Sequence, residues 1–179
     1  MNTSKTAKIF LVIAAIMQII YFLSAVVILK CPSIVLFLCG HSGGYDLPFD
    51  SIRFGGALAR VVLFGLVFVW LFIMMNTQKK LNVITDIAVA AYTYITYFVI
   101  DIFVSYKATI WLNTIIFERQ RDSSSAVTIG DNVAGLSYLN SYLGYAKVLL
   151  FTSIVLMIVG YVVYRVGYSF KKDDKTENG

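Results

Sequence analysis

Four long apolar runs, separated by shorter polar segments, dominate the pattern of residues along the chain. The runs cover Ile9–Leu29, Val61–Gln78, Ile87–Ile100 with an extension to Tyr106, and Val148–Tyr164. Because a helix needs about 20 apolar residues to cross roughly 30 Å of hydrocarbon, each run predicts a membrane-spanning helix. The pattern predicts an all-α, polytopic integral membrane protein, an antiparallel bundle of four transmembrane helices at about residues 9–29, 57–78, 82–106 and 146–166.

The polar segments between the runs predict how the helices are connected. Residues 76–78 allow only a short link, which makes helices 2 and 3 an antiparallel hairpin. The two outer connections are longer, and the second, from about Lys107 to Lys147, has helix-like sequence on both sides of Asp122–Asp131. We expect helical extensions there, a single membrane domain over residues 1–170, and a disordered cytosolic tail at 171–179.

Composition supports the membrane interpretation. Hydrophobic residues make up 59% of the chain, and the mean hydropathy is +0.77. Ordinary soluble domains are about 45–50% apolar. A soluble chain of 179 residues could not hide this much apolar surface from water, and a second sizeable domain does not fit beside the four helices.

The basic residues flank the apolar runs, so the net charge of +5 indicates topology and contacts with lipid headgroups. We expect no nucleic-acid partner, because no basic stripe interleaved with aromatic residues is present. The connections on the side of the two termini carry eight of the basic residues in short segments, which predicts a multi-pass plasma-membrane protein with both termini in the cytoplasm. These residues are Lys5, Lys8, Lys79, Lys80, Arg165, Lys171, Lys172 and Lys175.

A row of polar residues runs along helix 3. Asp86, Thr93, Tyr97 and Asp101 recur at helical spacing, which predicts that they share one face. The row extends over roughly 22 Å at 1.5 Å per residue. A carboxylate inside a membrane costs about 2.5–3.5 kcal/mol on insertion scales, and for that reason it is a candidate functional group.

The two carboxylates have a structural and a functional interpretation. In the structural one, Arg60 begins helix 2 at the depth of Asp101 and pairs with it across the antiparallel interface. The candidate partners of Asp86 at the opposite end are Lys79, Lys80 and Arg165. In the functional one, the row lines an ion or proton path.

The two cysteines, Cys31 and Cys39, both lie in the first outer connection. A disulfide between them would close a small loop at the membrane surface if that side is oxidising. Two free thiols are the equal alternative. We predict no metal site, because the spacing of Cys31, Cys39 and His41 matches no compact zinc pattern.

The sequence contains no recognisable catalytic set and no soluble domain of substrate size, so we expect neither enzymatic activity nor a cofactor. The leading expectation is a non-enzymatic accessory or interaction subunit, whose partners are the lipid bilayer and another protein or a second copy met through the membrane helices. The alternative is a small homo-oligomeric channel or transporter that uses the polar row on helix 3.

Overall fold

A computed structural model confirms the predicted all-α four-helix membrane bundle. It describes residues 3–31, 49–122 and 126–177, and within these ranges it contains helices and no strand. The helices are α1 (Thr3–Lys30), α2 (Ser51–Asn76), α3 (Val83–Tyr94), a π-helical segment (Ile95–Ile100), α4 (Asp101–Asp122) and α5 (Ala126–Glu177). Four stretches are long and apolar enough to cross a membrane: Ser4–Lys30, Ser51–Asn76, Val83–Ile115 and Ser141–Tyr168. We call Val83–Ile115, which joins α3, the π segment and most of α4, the third span.

Short polar side chains set the ends of the hairpin between α2 and α3. Asp50 caps α2, because its carboxylate accepts a hydrogen bond of 2.9 Å from the backbone N–H of Arg53. At the other end Gln78 takes a left-handed conformation (φ 49°), and the N–H of Lys79 donates to the Met74 carbonyl, as in a Schellman motif. Asn82 then caps α3 by accepting a 3.1 Å hydrogen bond from the Thr85 N–H. The link is short, as expected from residues 76–78.

Several helices are longer than the apolar runs that predicted them. The cap at Asp50 starts α2 before residue 57, and α4 continues to Asp122, well past residue 106. The longest helix, α5, has 52 residues and therefore spans about 78 Å, so it projects beyond the bilayer at both ends. Its last turns run through residues 171–177, where a disordered tail was predicted. Hydropathy identifies the part of a helix that meets lipid, whereas the helix itself continues into water.

The antiparallel pair α1 and α5 forms the most extensive contact of the bundle. Leu11 and Met157 are fully buried in this core, and Gly160 lets α5 approach the backbone of α1 at Ala7. Gln18 and Ser153 meet deep in the same interface, where the Ser153 hydroxyl donates a 2.6 Å hydrogen bond to the Gln18 amide oxygen. Small residues and buried hydrogen bonds join helices in lipid, where apolar contact alone gives little preference.

The third span is the least buried of the four. Only 17% of its most apolar stretch is buried, against 39% for the last span. It packs against α2, where the side chain of Val104 fills the space left by Gly56. The π segment interrupts its middle, and such segments change the register of the faces on either side. Because the spans alternate in direction, the ends near Thr3, Asp86 and Arg165 form one end of the bundle, here the proximal end. The ends near Lys30, Asp101 and Lys147 form the distal end.

The close approach of α1 and α5 predicts that Gly160→Ala destabilises the bundle. The added Cβ would lie 3.0 Å from the Ala7 carbonyl oxygen and 3.2 Å from the Phe10 Cβ, and backbone cannot move aside cheaply. We expect a loss of about 1–3 kcal/mol, the usual cost of overpacking. Thermal unfolding of the detergent-purified protein measures it. Gly65→Ala is the matched control: nothing lies within 4 Å of its new Cβ, so helix propensity should leave stability equal or raised by up to about 1 kcal/mol. Equal melting temperatures for the two variants would contradict this packing.

Candidate functional site

Arg60 is a buried arginine at the distal end of the bundle. It is 4% exposed and lies on α2, one turn beyond Gly56. Its Nη2 lies 2.5 Å from Asp101 Oδ1 at the start of α4, and its Nη1 donates a 3.1 Å hydrogen bond to the Tyr21 hydroxyl on α1. One guanidinium therefore connects three of the four spans. Hydrogen bonds between charged groups are stronger than neutral ones, which offsets part of the cost of burying the cation.

Asp101 is shared between two cations. Lys147 on α5 places its Nζ 3.0 Å from Asp101 Oδ1, so the carboxylate lies between Arg60 and Lys147. The aspartate side chain is 35% exposed and the lysine 48%, so solvent and headgroups screen this second pair more than the first. The fourth span joins the cluster through Lys147, and the formal charge of these three residues is +1.

A cavity of about 330 Å³ lies beside this cluster. Its polar lining includes Arg53, which pairs with Asp50 at 3.1 Å. All four spans contribute: Tyr21, Ala25, Arg53, Ala57, Arg60, Asp101, Val104, Ser105, Thr109, Leu143, Gly144 and Lys147. Three cationic side chains and one carboxylate thus face one space within the described part of the chain.

A second ionic cluster lies at the proximal end. Asp86 on α3 pairs with Arg165 on α5 and also accepts a hydrogen bond from the Tyr161 hydroxyl. Arg165 Nη1 in turn donates to Tyr161 at 2.8 Å. Of the three cations that the sequence offered for Asp86, the structure selects Arg165. The third span is therefore joined to α5 by an ion pair near each membrane boundary.

The polar row predicted on helix 3 is not a single inward face in the structure. Thr93 is half-buried, and its hydroxyl donates to the Val89 carbonyl of its own helix at 3.0 Å. Tyr97 is 48% exposed, with its ring against Phe151. The buried positions of the span are instead Thr85, Val89, Tyr92, Thr96 and, beyond Asp101, Ala108. The spacing argument assumed α-helix throughout, whereas the π segment begins at Ile95 and shifts the later residues around the axis.

A cluster of aromatic residues covers the exposed side of the third span between the two ionic clusters. Tyr94 and Phe98 stack at 5.4 Å between ring centroids, and Tyr97 meets Phe98 edge-on at 5.7 Å. Tyr94 is 60% exposed. Neither tyrosine hydroxyl makes a hydrogen bond to any residue that the structure describes.

The sequence singled out several of these residues and missed others. Asp86 and Asp101 were identified as carboxylates at helical spacing along the third apolar run, and Arg60 as the cation that begins helix 2 at the depth of Asp101. Lys147 and Tyr161 were missed as partners, since their contacts join segments far apart in the chain. Gln18, an amide inside the first apolar run, is the sequence feature that could have indicated a buried polar contact on α1.

The two alternatives for the cysteines, a disulfide or two free thiols, both stay predictions. Cys31 follows the last turn of α1 and is exposed. Cys39 and His41 lie outside the described residues.

Comparison with known proteins identifies no relative: no protein-family model, no curated protein and no solved structure matches this sequence. In the described ranges there is also no group of three or more His, Cys, Asp or Glu side chains placed to hold a metal ion. The fold and the four apolar spans define an integral membrane four-helix bundle.

The distal cluster predicts that Asp101→Asn lowers the stability of the protein strongly, and that a second substitution at Arg60 restores part of the loss. The change leaves Arg60 buried without its carboxylate, so we expect a loss of about 3 kcal/mol, the lower end of the range for broken buried pairs because Asp101 is part-exposed. Adding Arg60→Met removes the orphaned charge and should restore part of the loss, which a double-mutant cycle by thermal unfolding detects.

The proximal pair supplies the control for this cycle. Asp86→Asn should cost less, because the side chain of Arg165 is 46% exposed and can reach the headgroups. Additive losses for Arg60→Met and Asp101→Asn would show that the two residues do not act as a pair.

Proposed function

We propose that this protein is a non-enzymatic interaction subunit of a membrane complex, and that its third span docks against a transmembrane helix of a partner protein. The observation that carries the proposal is Tyr94, a 60%-exposed residue on the outside of the bundle whose hydroxyl has no hydrogen-bond partner among the described residues. A partner helix that offers an acceptor at this depth would satisfy it.

The depth of Tyr94 makes its exposure costly. It lies eight residues from Asp86 and seven from Asp101, so it is roughly 10–12 Å from each ionic cluster and close to the middle of the hydrocarbon. Tyrosines that anchor a helix at the interface place their hydroxyls at headgroup level, which Tyr94 cannot reach. A polar group in hydrocarbon without a hydrogen bond costs several kcal/mol relative to water.

The shape of the third span also favours docking. Its rings Tyr94, Tyr97 and Phe98 form a broad contact surface, and aromatic residues are enriched at protein interfaces. The span is fixed to α5 by its two ion pairs and is only lightly packed between them. It therefore leaves more surface open to a further helix than the first span, of whose most apolar stretch 33% is buried.

The geometry gives less support to conduction along the polar row. Asp86 and Asp101 are both engaged by cations of neighbouring helices, and Tyr97 faces outward between them. A path would have to break these pairs in every copy. The homo-oligomeric channel is therefore kept as an outcome of the test. The cellular setting that goes with the proposal is the plasma membrane with both termini in the cytoplasm. Lys5 and Lys8 in the first turns of α1, with Lys79 and Lys80 after α2, support this orientation.

Site-specific photo-crosslinking in native membranes tests this proposal. A photoreactive phenylalanine analogue at Phe98, which stacks on Tyr94 and is 51% exposed, should capture one distinct membrane protein reproducibly while the Tyr94 hydroxyl stays in place. The same analogue at Trp70, a 49%-exposed residue on α2, should not. Tyr94→Phe removes only the hydroxyl. Since an interhelical hydrogen bond in a membrane contributes about 0.6–1.7 kcal/mol, this change should lower the recovery of the partner roughly threefold to twentyfold.

Other results would lead elsewhere. Adducts of the chain with itself alone would favour the homo-oligomer, and the effect of Asp101→Asn on ion flux would then decide whether it conducts. Equal capture at Phe98 and Trp70 would show that the partner has no preference for the third span. Recovery that Tyr94→Phe leaves unchanged would show that the Tyr94 hydroxyl makes no hydrogen bond to the partner, and either result contradicts the proposal.

A further inference from the structure

We propose that the distal cavity binds a phosphate group, carried either by a phospholipid headgroup or by a free phosphate ion or ester. This site lies apart from the docking surface at Tyr94 and does not depend on it. It is formed where α1, α2, α4 and α5 converge around Arg60.

The charge of the cavity lining is unbalanced. Arg53, Arg60 and Lys147 supply three positive charges, while Asp101 and the Arg53 partner Asp50 supply two negative ones. One positive charge is left without a counter-charge among the described residues around the cavity. Near a low-dielectric bundle such a charge is costly, and a bound anion lowers that cost.

The hydrogen-bonding groups also suit an oxyanion. Arg60 is buried, and its Nε makes no hydrogen bond to any described residue, although its other two nitrogens are used. Ser105 lines the same space from α4 and adds a hydroxyl donor, whereas the Thr109 hydroxyl already donates to the Ser105 carbonyl at 2.8 Å. Guanidinium and ammonium groups are the side chains that most often hold phosphate, the first through directed hydrogen bonds and the second as a point charge.

The size of the cavity limits the ligand. A volume of about 330 Å³ is at the lower end of the range for small-molecule pockets. It accommodates a phosphate with a short polar substituent such as glycerol. The acyl chains of a phospholipid would then remain outside, along the lipid-facing surface of the helices.

Asp101 competes with the anion for Lys147. The proposal therefore predicts opposite effects of one substitution at Asp101 on anion binding and on stability. Removing the Asp101 carboxylate frees the ammonium group and raises the formal charge beside the cavity from +1 to +2. Asp101→Asn should therefore bind phosphate more tightly, although the same change destabilises the protein when no anion is present. A carboxylate that served only to hold the helices together would not produce this pair of opposite effects.

Binding is measured on the whole protein in a maltoside detergent, which carries no phosphate. Native mass spectrometry and the melting temperature are followed with phosphatidylglycerol, with diacylglycerol of the same chains, with inorganic phosphate, and with chloride at the same ionic strength. Lys147→Gln should weaken binding about tenfold, the loss of one charge-assisted hydrogen bond. Its side chain is 48% exposed, so the variant should fold. Lys107→Gln is the matched control, since Lys107 lies at the same end above the Phe103 ring and outside the cavity.

The four ligands separate the sources of phosphate. Binding of phosphatidylglycerol but not of phosphate assigns a lipid headgroup, and binding of phosphate alone assigns a free ligand. Both support the proposal when Lys147→Gln weakens and Asp101→Asn strengthens the response. The proposal fails if diacylglycerol and chloride act as well as their phosphate-bearing counterparts, or if Lys107→Gln has as large an effect as Lys147→Gln.

Discussion

The register of this bundle depends on a charge that cannot be left alone in hydrocarbon. Arg60 lies inside the membrane-spanning part of α2, where an unpaired guanidinium would be prohibitively costly, so the fold must bring an acceptor to it. Asp101 meets this requirement from the third span and Tyr21 from α1. The approach is possible because Gly56, one turn away on α2, has no side chain to hold off Val104. The ion pair thus sets how far the third span can slide along α2, while the small residue sets how closely it can pack.

The third span is held to α5 at two points, one near its proximal end and one just after the π segment. Lys147 and Arg165 of α5 pair with Asp101 and Asp86 at the two boundaries, and between them the span buries little. A helix held in this way does not need a continuous apolar seam. Its middle can therefore contain a π segment and the exposed residues Tyr94 and Tyr97.

The sequence predicts some features of this site well and others poorly, depending on whether the inference rests on depth, on hydropathy or on helical periodicity. The Arg60–Asp101 pairing follows from depth and direction alone, because antiparallel neighbours bring residues near the same boundary together. Helix ends and faces are harder. The apolar run placed the start of α2 near residue 57 because hydropathy does not register the Asp50 cap, and strict helical periodicity placed Tyr97 beside Asp101 because no sequence signal marked the π segment. Contacts such as Ser153 with Gln18, which are 135 residues apart, depend on the choice of neighbouring helices and cannot be derived from spacing.

The distal cavity and the docking surface both include residues of the third span, so binding at one site would affect binding at the other. An anion held by Lys147 weakens the hold of that lysine on Asp101, and the distal end of the span is then attached mainly through Arg60. Any displacement of the span is transmitted along a helix to the rings of Tyr94 and Phe98, about one to two turns away. Linkage then requires reciprocity: if anion binding changes the affinity for a partner helix, the partner changes the affinity for the anion by the same factor. The carboxylate shared between Arg60 and Lys147 is therefore the residue at which a ligand in the cavity and a partner in the membrane would affect one another.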